Sequence, residues 1–99
     1  GVRAVRAAKE TCGTYITVTD DEIIQSIAEL GRMGVFAEPA GAAAYAGLVK
    51  AAGAGVVGGD DPILVLNTGS GLKDVRAAMQ AVKSAPIIEP TLEAVKKLL

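Results

Sequence analysis

The chain has 99 residues, of which 51% are hydrophobic and 21% are charged, and its formal net charge is -1. This composition is typical of one globular unit and excludes disordered and fibrous proteins. No apolar run approaches the roughly 18 residues that cross a bilayer. The 10 basic and 11 acidic residues are interspersed, so neither nucleic acid nor a membrane surface is expected as a partner.

Cysteine and histidine usage limits the chemistry that this chain can perform. Histidine is absent, which excludes Ser-His-Asp and Cys-His catalysis and imidazole metal sites. Cys12 is the only cysteine, so neither an internal disulfide nor a zinc site is expected. A single thiol favours a reducing compartment, and we therefore expect a cytoplasmic protein. Any chemistry must come from a lysine, a carboxylate, a hydroxyl or a cofactor.

The first third of the chain predicts a helix, a strand and a second helix. Val2–Lys9 is rich in alanine and arginine, and it looks like the end of a longer helix. Thr14–Val18 is a β-branched and aromatic run that predicts a strand. Thr19 and Glu22 have the spacing of a capping box, in which each side chain satisfies a backbone N–H of the other residue. The apolar spacing that follows predicts an amphipathic helix over Asp20–Met33.

The remaining two thirds predict three more helices and one more strand. Pro39 suits the first turn of a helix that continues to about Ala52 and consists largely of small residues, so this helix is expected to be buried. Pro62–Leu66 is a continuous apolar run, typical of a strand covered on both faces in a parallel sheet. Two more helices are predicted, over about Asp74–Lys83 and over Thr91–Leu99.

This order of elements predicts an α/β fold, as a partial three-layer sandwich in which a few parallel strands are flanked by helices. Residues 1–99 would form a single segment of such a domain. Two strands are too few to complete a sheet, and small domains already bury only about 60% of their unfolded surface. We therefore expect exposed apolar area, together with either a missing portion or an obligate partner.

The most specific motif is the glycine-rich turn from Thr68 to Asp74, which follows a predicted buried strand and precedes a helix. Ligands of open α/β sheets bind at such places, beyond the carboxyl ends of the strands. Glycines allow close backbone approach, and hydroxyl groups can donate or accept hydrogen bonds. The alternative is structural: the glycines simply reverse the chain and Asp74 caps the next helix.

A second motif places the carboxylate of Glu38 directly before Pro39 and a helix of small residues. The functional interpretation is a ligand-facing carboxylate held by a rigid Glu-Pro corner. The structural alternative is a carboxylate that only favours the helix dipole.

Taken together, the motifs resemble threonine synthase, a pyridoxal-phosphate enzyme of the tryptophan-synthase-like fold, fold type II. The resemblance covers about four fifths of the chain and points to the C-terminal part of such an enzyme. Its segments are Arg6-Ala7-Ala8-Lys9-Glu10, Val18-Thr19-Asp20-Asp21-Glu22-Ile23, Glu38-Pro39-Ala40-Gly41-Ala42-Ala43 and Thr68-Gly69-Ser70-Gly71-Leu72-Lys73-Asp74.

The resemblance implies cofactor-binding roles for five residues. Thr68 would hydrogen-bond the pyridine nitrogen of pyridoxal 5'-phosphate. A neutral hydroxyl does not stabilise a protonated ring nitrogen as an aspartate does, and so it favours elimination and replacement over transamination. Gly69, Ser70 and Gly71 would form the floor beneath the ring, and Glu38 would form a wall.

Two features of the family are missing from these 99 residues. The family holds its cofactor as a Schiff base on a lysine in a Ser-Phe-Lys-Asp type motif, and it binds the phosphate with a Gly-Gly-Asn type loop. Neither motif occurs here, so we expect no catalytic residue in this segment and no activity from the isolated chain.

The intact enzyme implied by the resemblance converts O-phosphohomoserine and water to threonine and phosphate. A related threonine dehydratase or cysteate synthase is the alternative within the class. An alternative of a different class is a non-catalytic module that pairs with itself or with another subunit through unpaired strand edges.

Overall fold

Five α-helices form the regular structure of the chain, and the computed structural model describes all of residues 1–99. The five predicted helices are confirmed, each within a few residues of its predicted bounds. They are α1 (Val2–Glu10), α2 (Asp20–Arg32), α3 (Pro39–Gly53), α4 (Val75–Ala81) and α5 (Leu92–Lys96), with a short 3₁₀ helix at Gly71–Lys73 between α3 and α4.

The predicted capping box at the start of α2 is formed in full. The backbone N–H of Glu22 donates to Thr19 Oγ1 at 3.2 Å, and the backbone N–H of Thr19 donates to Glu22 Oε2 at 2.6 Å. This bond from Thr19 is the main reason that the pKa of Glu22 is lowered, and Lys50 adds to the effect. Because Lys50 Nζ lies 3.4 Å from Glu22 Oε1, the start of α2 is also tied to α3.

The core lies where α2, α3 and α4 meet. Small residues on α3 let its backbone approach α2 closely, and the predicted burial of this helix is confirmed at Gly41, Ala42, Ala46 and Ala51. The core cluster itself is small because most of its members are alanines. It consists of Ile27, Leu30, Ala37, Ala42 and Ala77.

The two predicted strands, Thr14–Val18 and Pro62–Leu66, are not formed in this chain, so the sandwich part of the fold prediction is not confirmed. The β-type backbone pairing in the structure is limited to one isolated antiparallel bridge, between Ala37 and Ser70. A strand exists only when its N–H and C=O groups find a neighbouring backbone, and neither segment has one here. Instead, Ile16 and the apolar run 63–66 line one shallow groove on α3.

The predicted deficit of burial is confirmed. Only 10 of the 99 residues are buried, and the accessible surface is 7819 Å², whereas a compact protein of 10.0 kDa exposes about 5200 Å². The radius of gyration is 17.9 Å, against about 13 Å for a compact domain of this length. Apolar side chains such as Leu64, which is 85% exposed, therefore have no covering layer within this chain. None of the helices is both long enough and apolar enough to cross a bilayer.

The capping box predicts a pH-dependent helix in a peptide of residues 17–34 with blocked ends. The pKa of Glu22 is lowered below its ordinary 4.5 in the folded chain. The charged form therefore stabilises the helix above that pH, and the stabilisation is lost as the pH falls through the lowered pKa. We expect circular dichroism at low temperature to show helicity falling over this range.

The matched control is Glu22→Gln, which cannot ionise and keeps Asp20 and Asp21. Its helicity should be lower than that of the parent peptide at pH 7 and should fall less on acidification. Parallel titration curves for the two peptides would contradict the assigned role of the Glu22 carboxylate.

Candidate functional site

The two motifs singled out in the sequence meet in the structure. The backbone N–H of Glu38 donates to the carbonyl of Gly69 at 3.0 Å, and the N–H of Gly71 donates to the carbonyl of Phe36 at 2.9 Å. These bonds flank the Ala37–Ser70 bridge. We call the two joined segments, residues 36–39 and 68–73, the motif corner.

Glycines make this close approach possible. A Cβ at Gly69 would overlap the carboxylate of Glu38, and a Cβ at Gly71 would overlap the ring of Phe36. Neither glycine has a positive φ, so packing space rather than backbone conformation requires glycine at these two positions.

Gly41 has the same role within the first turn of α3. A Cβ at this position would overlap the side-chain oxygen of Asn67 and would lie 3.3 Å from the backbone nitrogen of Thr68. The residue before Thr68 therefore rests directly on the α3 backbone. Both motifs need glycine at these positions because a side chain on either segment would overlap the other segment.

Glu38 occupies the N-cap position of α3, with Pro39 at the first helical position, but its side chain makes no capping hydrogen bond. Its carboxylate lies instead beside the glycine-rich loop, where Oε2 is 3.4 Å from Lys73 Nζ. The Glu38 side chain is only 16% exposed and that of Lys73 is 65% exposed. The structure therefore directs this carboxylate at the other motif rather than at its own helix end.

The hydroxyl groups of the loop have different surroundings. Ser70 Oγ accepts a hydrogen bond at 3.3 Å from the N–H of Leu72, and Asp74 Oδ1 accepts one at 3.0 Å from the N–H of Ala77. The helix cap that the structural alternative assigned to Asp74 is therefore formed, and the Ser70 hydroxyl accepts a hydrogen bond within its own turn. Thr68 is exposed, and its hydroxyl makes no hydrogen bond within the chain. It is free to bind a ligand.

Sequence reasoning missed two features of the corner. The pairing of Lys73 with Glu38 was signalled only by opposite charges in two separate motifs, and the packing of Phe36 on Gly71 had no local signal. Both depend on contacts between residues about 35 positions apart. Such contacts leave no periodic trace in a single sequence.

The motif corner is one side of a site rather than an enclosed site. Glu38, Thr68 and Gly69 line none of the five surface grooves on the chain. A groove of about 530 Å³ lies between α2 and α4 and touches the corner only through Phe36. A ligand held at Thr68 would need further walls from outside these 99 residues.

A sequence profile described as pyridoxal-phosphate dependent enzyme matches residues 1–69. The chain belongs to this family. It is 33% identical over 98 residues to the threonine synthase of Methanosarcina acetivorans and 37% identical over 98 residues to that of Methanocaldococcus jannaschii. Each of these matches covers 98% of this chain and 24% of the relative.

A third similar protein is the threonine synthase of Halalkalibacterium halodurans, which is 40% identical over 91 residues. That match covers 91% of this chain and 26% of the relative. The chain thus spans about a quarter of the length of the curated relatives it matches.

The residues of the motif corner fit one edge of a pyridoxal-phosphate ring. Thr68 presents an unused hydroxyl that can donate to a ring nitrogen. The loop beside it lacks side chains of its own at Gly69 and Gly71, where the Glu38 carboxylate and the Phe36 ring take up the space instead. Lys73 is the lysine of the corner and its ammonium is paired with Glu38, so the corner offers no uncommitted amine as a covalent anchor.

A steric prediction follows for Gly41, to be tested in the longest gene product that contains these 99 residues, which we call the parent protein. Gly41→Ala should displace Asn67 and the adjoining Thr68 backbone. We expect a loss of about 1–3 kcal/mol of unfolding free energy, seen as a lower melting temperature.

The matched control lies on the same helix. Gly53 is the last residue of α3 and is exposed, and a Cβ at this position would meet nothing within 4 Å. Gly53→Ala should therefore leave the melting temperature unchanged or raise it slightly. Equal melting temperatures for the two variants would contradict the close packing of α3 against the loop.

Proposed function

We propose that the parent protein is a threonine synthase that converts O-phosphohomoserine and water to threonine and phosphate, and that these residues are its C-terminal part. One observation carries the proposal. The general family profile ends at Gly69, whereas the similarity to threonine synthases extends over 98 residues and therefore includes most of the glycine-rich motif. That extension favours threonine synthase over other members of the family.

Within this proposal, Thr68 hydrogen-bonds the pyridine nitrogen of the cofactor. When bound, the cofactor supplies an electron-withdrawing ring that weakens bonds in the amino-acid substrate. In the overall reaction the bond from Cγ to the phosphate oxygen and one Cβ–H bond break, a water oxygen becomes bonded to Cβ, and Cγ gains a hydrogen to become the methyl group of threonine. A neutral hydroxyl at the ring nitrogen moderates electron withdrawal, which suits this replacement.

The other corner residues shape the space around the ring. Gly69, Ser70 and Gly71 would form the floor with their backbone, which is hydrogen-bonded to residues 36–38, while the Ser70 hydroxyl caps the turn. Glu38 would form a wall with its side chain, which is only 16% exposed. The arrangement binds and orients a cofactor but contains no catalytic residue of its own.

The rest of the parent protein would complete both the sheet and the site. The apolar runs Thr14–Val18 and Pro62–Leu66 would pair with its strands, giving the three-layer sandwich expected of the fold. The exposed apolar side chains of these runs support this assignment. We infer that the isolated chain is inactive, because the covalent lysine and the phosphate-binding loop belong to the remainder. A cytoplasmic location stays a prediction that rests on the single Cys12.

The first experiment is to purify the parent protein, measure its intact mass and supply substrate. We expect a mass several times 10.0 kDa, bound pyridoxal 5'-phosphate, and release of phosphate and threonine from O-phosphohomoserine. A parent protein that consumes threonine but not O-phosphohomoserine would instead support a dehydratase. Failure to bind the cofactor would overturn the enzymatic proposal.

A second candidate function is a non-catalytic module that assembles with itself or with another subunit. The large exposed apolar area favours it, because uncovered apolar surface drives association. If the gene product is a 10.0 kDa chain, size-exclusion chromatography with light scattering should show a stable oligomer that does not bind the cofactor.

The role of Thr68 gives a graded prediction in the parent protein. Thr68→Ser keeps the hydroxyl and should have a mild effect on turnover. Thr68→Asp places a negative charge at the ring nitrogen, favours its protonation, and should slow turnover at least tens-fold. Steady-state kinetics with O-phosphohomoserine provides the measurement, and equal rates in all three proteins would contradict the assignment.

A further inference from the structure

An ion pair spans the motif corner directly over Gly69. Glu38 Oε2 lies 3.4 Å from Lys73 Nζ. A Cβ at Gly69 would overlap the Glu38 carboxylate and would lie 2.8 Å from the same ammonium. The pair therefore fills the space that a side chain at Gly69 would occupy, one residue away from Thr68.

The Glu38 carboxylate has an alternative partner that it does not use. As the N-cap residue of α3, it lies beside free backbone N–H groups that carboxylates commonly accept, yet it makes no capping bond. A carboxylate that is only 16% exposed needs a compensating charge or donor, because burying it unpaired is unfavourable. Within the chain, Lys73 is its charged partner.

We propose that Lys73 is a positioning residue of the cofactor site. Its ammonium holds the Glu38 carboxylate across Gly69 and away from the start of α3, and so fixes the loop that presents Thr68. The inference rests on the proposed function and deepens it, since it explains how a residue that does not touch the cofactor sets the geometry of one that does.

The same conclusion follows from the geometry of the loop. Backbone hydrogen bonds fix Gly69 and Gly71 to residues 36–38, but they leave the side chain of Glu38 free to rotate. Without Lys73 the carboxylate can turn to the helix end or to solvent, and the space over Gly69 opens. The loop then loses its side-chain connection to the helix that faces it.

The test is cofactor affinity in the parent protein, measured by titrating the cofactor-free form with pyridoxal 5'-phosphate and following absorbance. Lys73→Met keeps the length of the side chain and removes its charge. We expect the dissociation constant to rise about fivefold, the ratio that corresponds to about 1 kcal/mol for a partly exposed ion pair. Lys73→Arg should restore most of the affinity because it keeps the charge.

Lys83→Met is the matched control, since this lysine is exposed and lies just beyond α4, outside the corner. It should bind the cofactor as the unmodified protein does. The double variant Glu38→Gln/Lys73→Met should bind the cofactor no more weakly than the weaker of the two single variants, because each change removes the same Glu38–Lys73 interaction. Gly69→Ala, which displaces the pair without changing charge, should also weaken binding.

The positioning role is distinguished from a purely structural one by a second measurement. The circular dichroism band of the bound cofactor should change in Lys73→Met and return in Lys73→Arg, whereas a loss of stability alone would leave the band as it is in Lys83→Met. If Lys73→Met lowers the melting temperature but leaves the cofactor affinity and the dichroism unchanged, the positioning role of Lys73 is wrong and the proposed function still stands. An unmodified parent protein that binds no cofactor would overturn the proposed function, and the inference with it.

Discussion

The pair of backbone hydrogen bonds between residues 36–38 and 69–71 is the interaction on which the rest of the site depends. It joins the segment before α3 to the loop before α4, and so brings Glu38 and Lys73 within ion-pair distance. The bonds can form only because Gly69 and Gly71 leave room for Glu38 and Phe36. The glycine-rich motif is therefore explained by packing before any ligand is considered.

The helices could be predicted because their signals are local. Thr19 and Glu22 are three residues apart and satisfy each other's N–H groups within one turn. Pro39 begins α3 with a fixed φ, and Asp74 caps α4 through the N–H of Ala77. Each signal is a short-range interaction that survives even where the surrounding core is thin. The helix bounds therefore follow from sequence to within a few residues.

The strands could not be predicted in the same way, because pairing is not local. Pro62–Leu66 has the composition of a buried strand, but composition does not supply a neighbour for its backbone groups. The one bridge that does form joins Ala37 to Ser70, in segments that the sequence indicated only as a connector and a turn. The two motifs that meet in the corner could be picked out from the sequence, whereas the Glu38–Lys73 pair could not.

The unpaired segment and the motif corner are parts of a continuous backbone. Pro62–Leu66 leads through Asn67 straight into Thr68, and Asn67 packs against the α3 backbone at Gly41. Any strand that pairs with the apolar run also fixes the backbone from which the Thr68 hydroxyl projects. Pairing of this run with a strand would therefore also order the backbone at Thr68. The backbone hydrogen bonds at Glu38 and Gly71 hold the rest of the motif corner without such a strand, while the adjoining run 63–66 lies in an open groove.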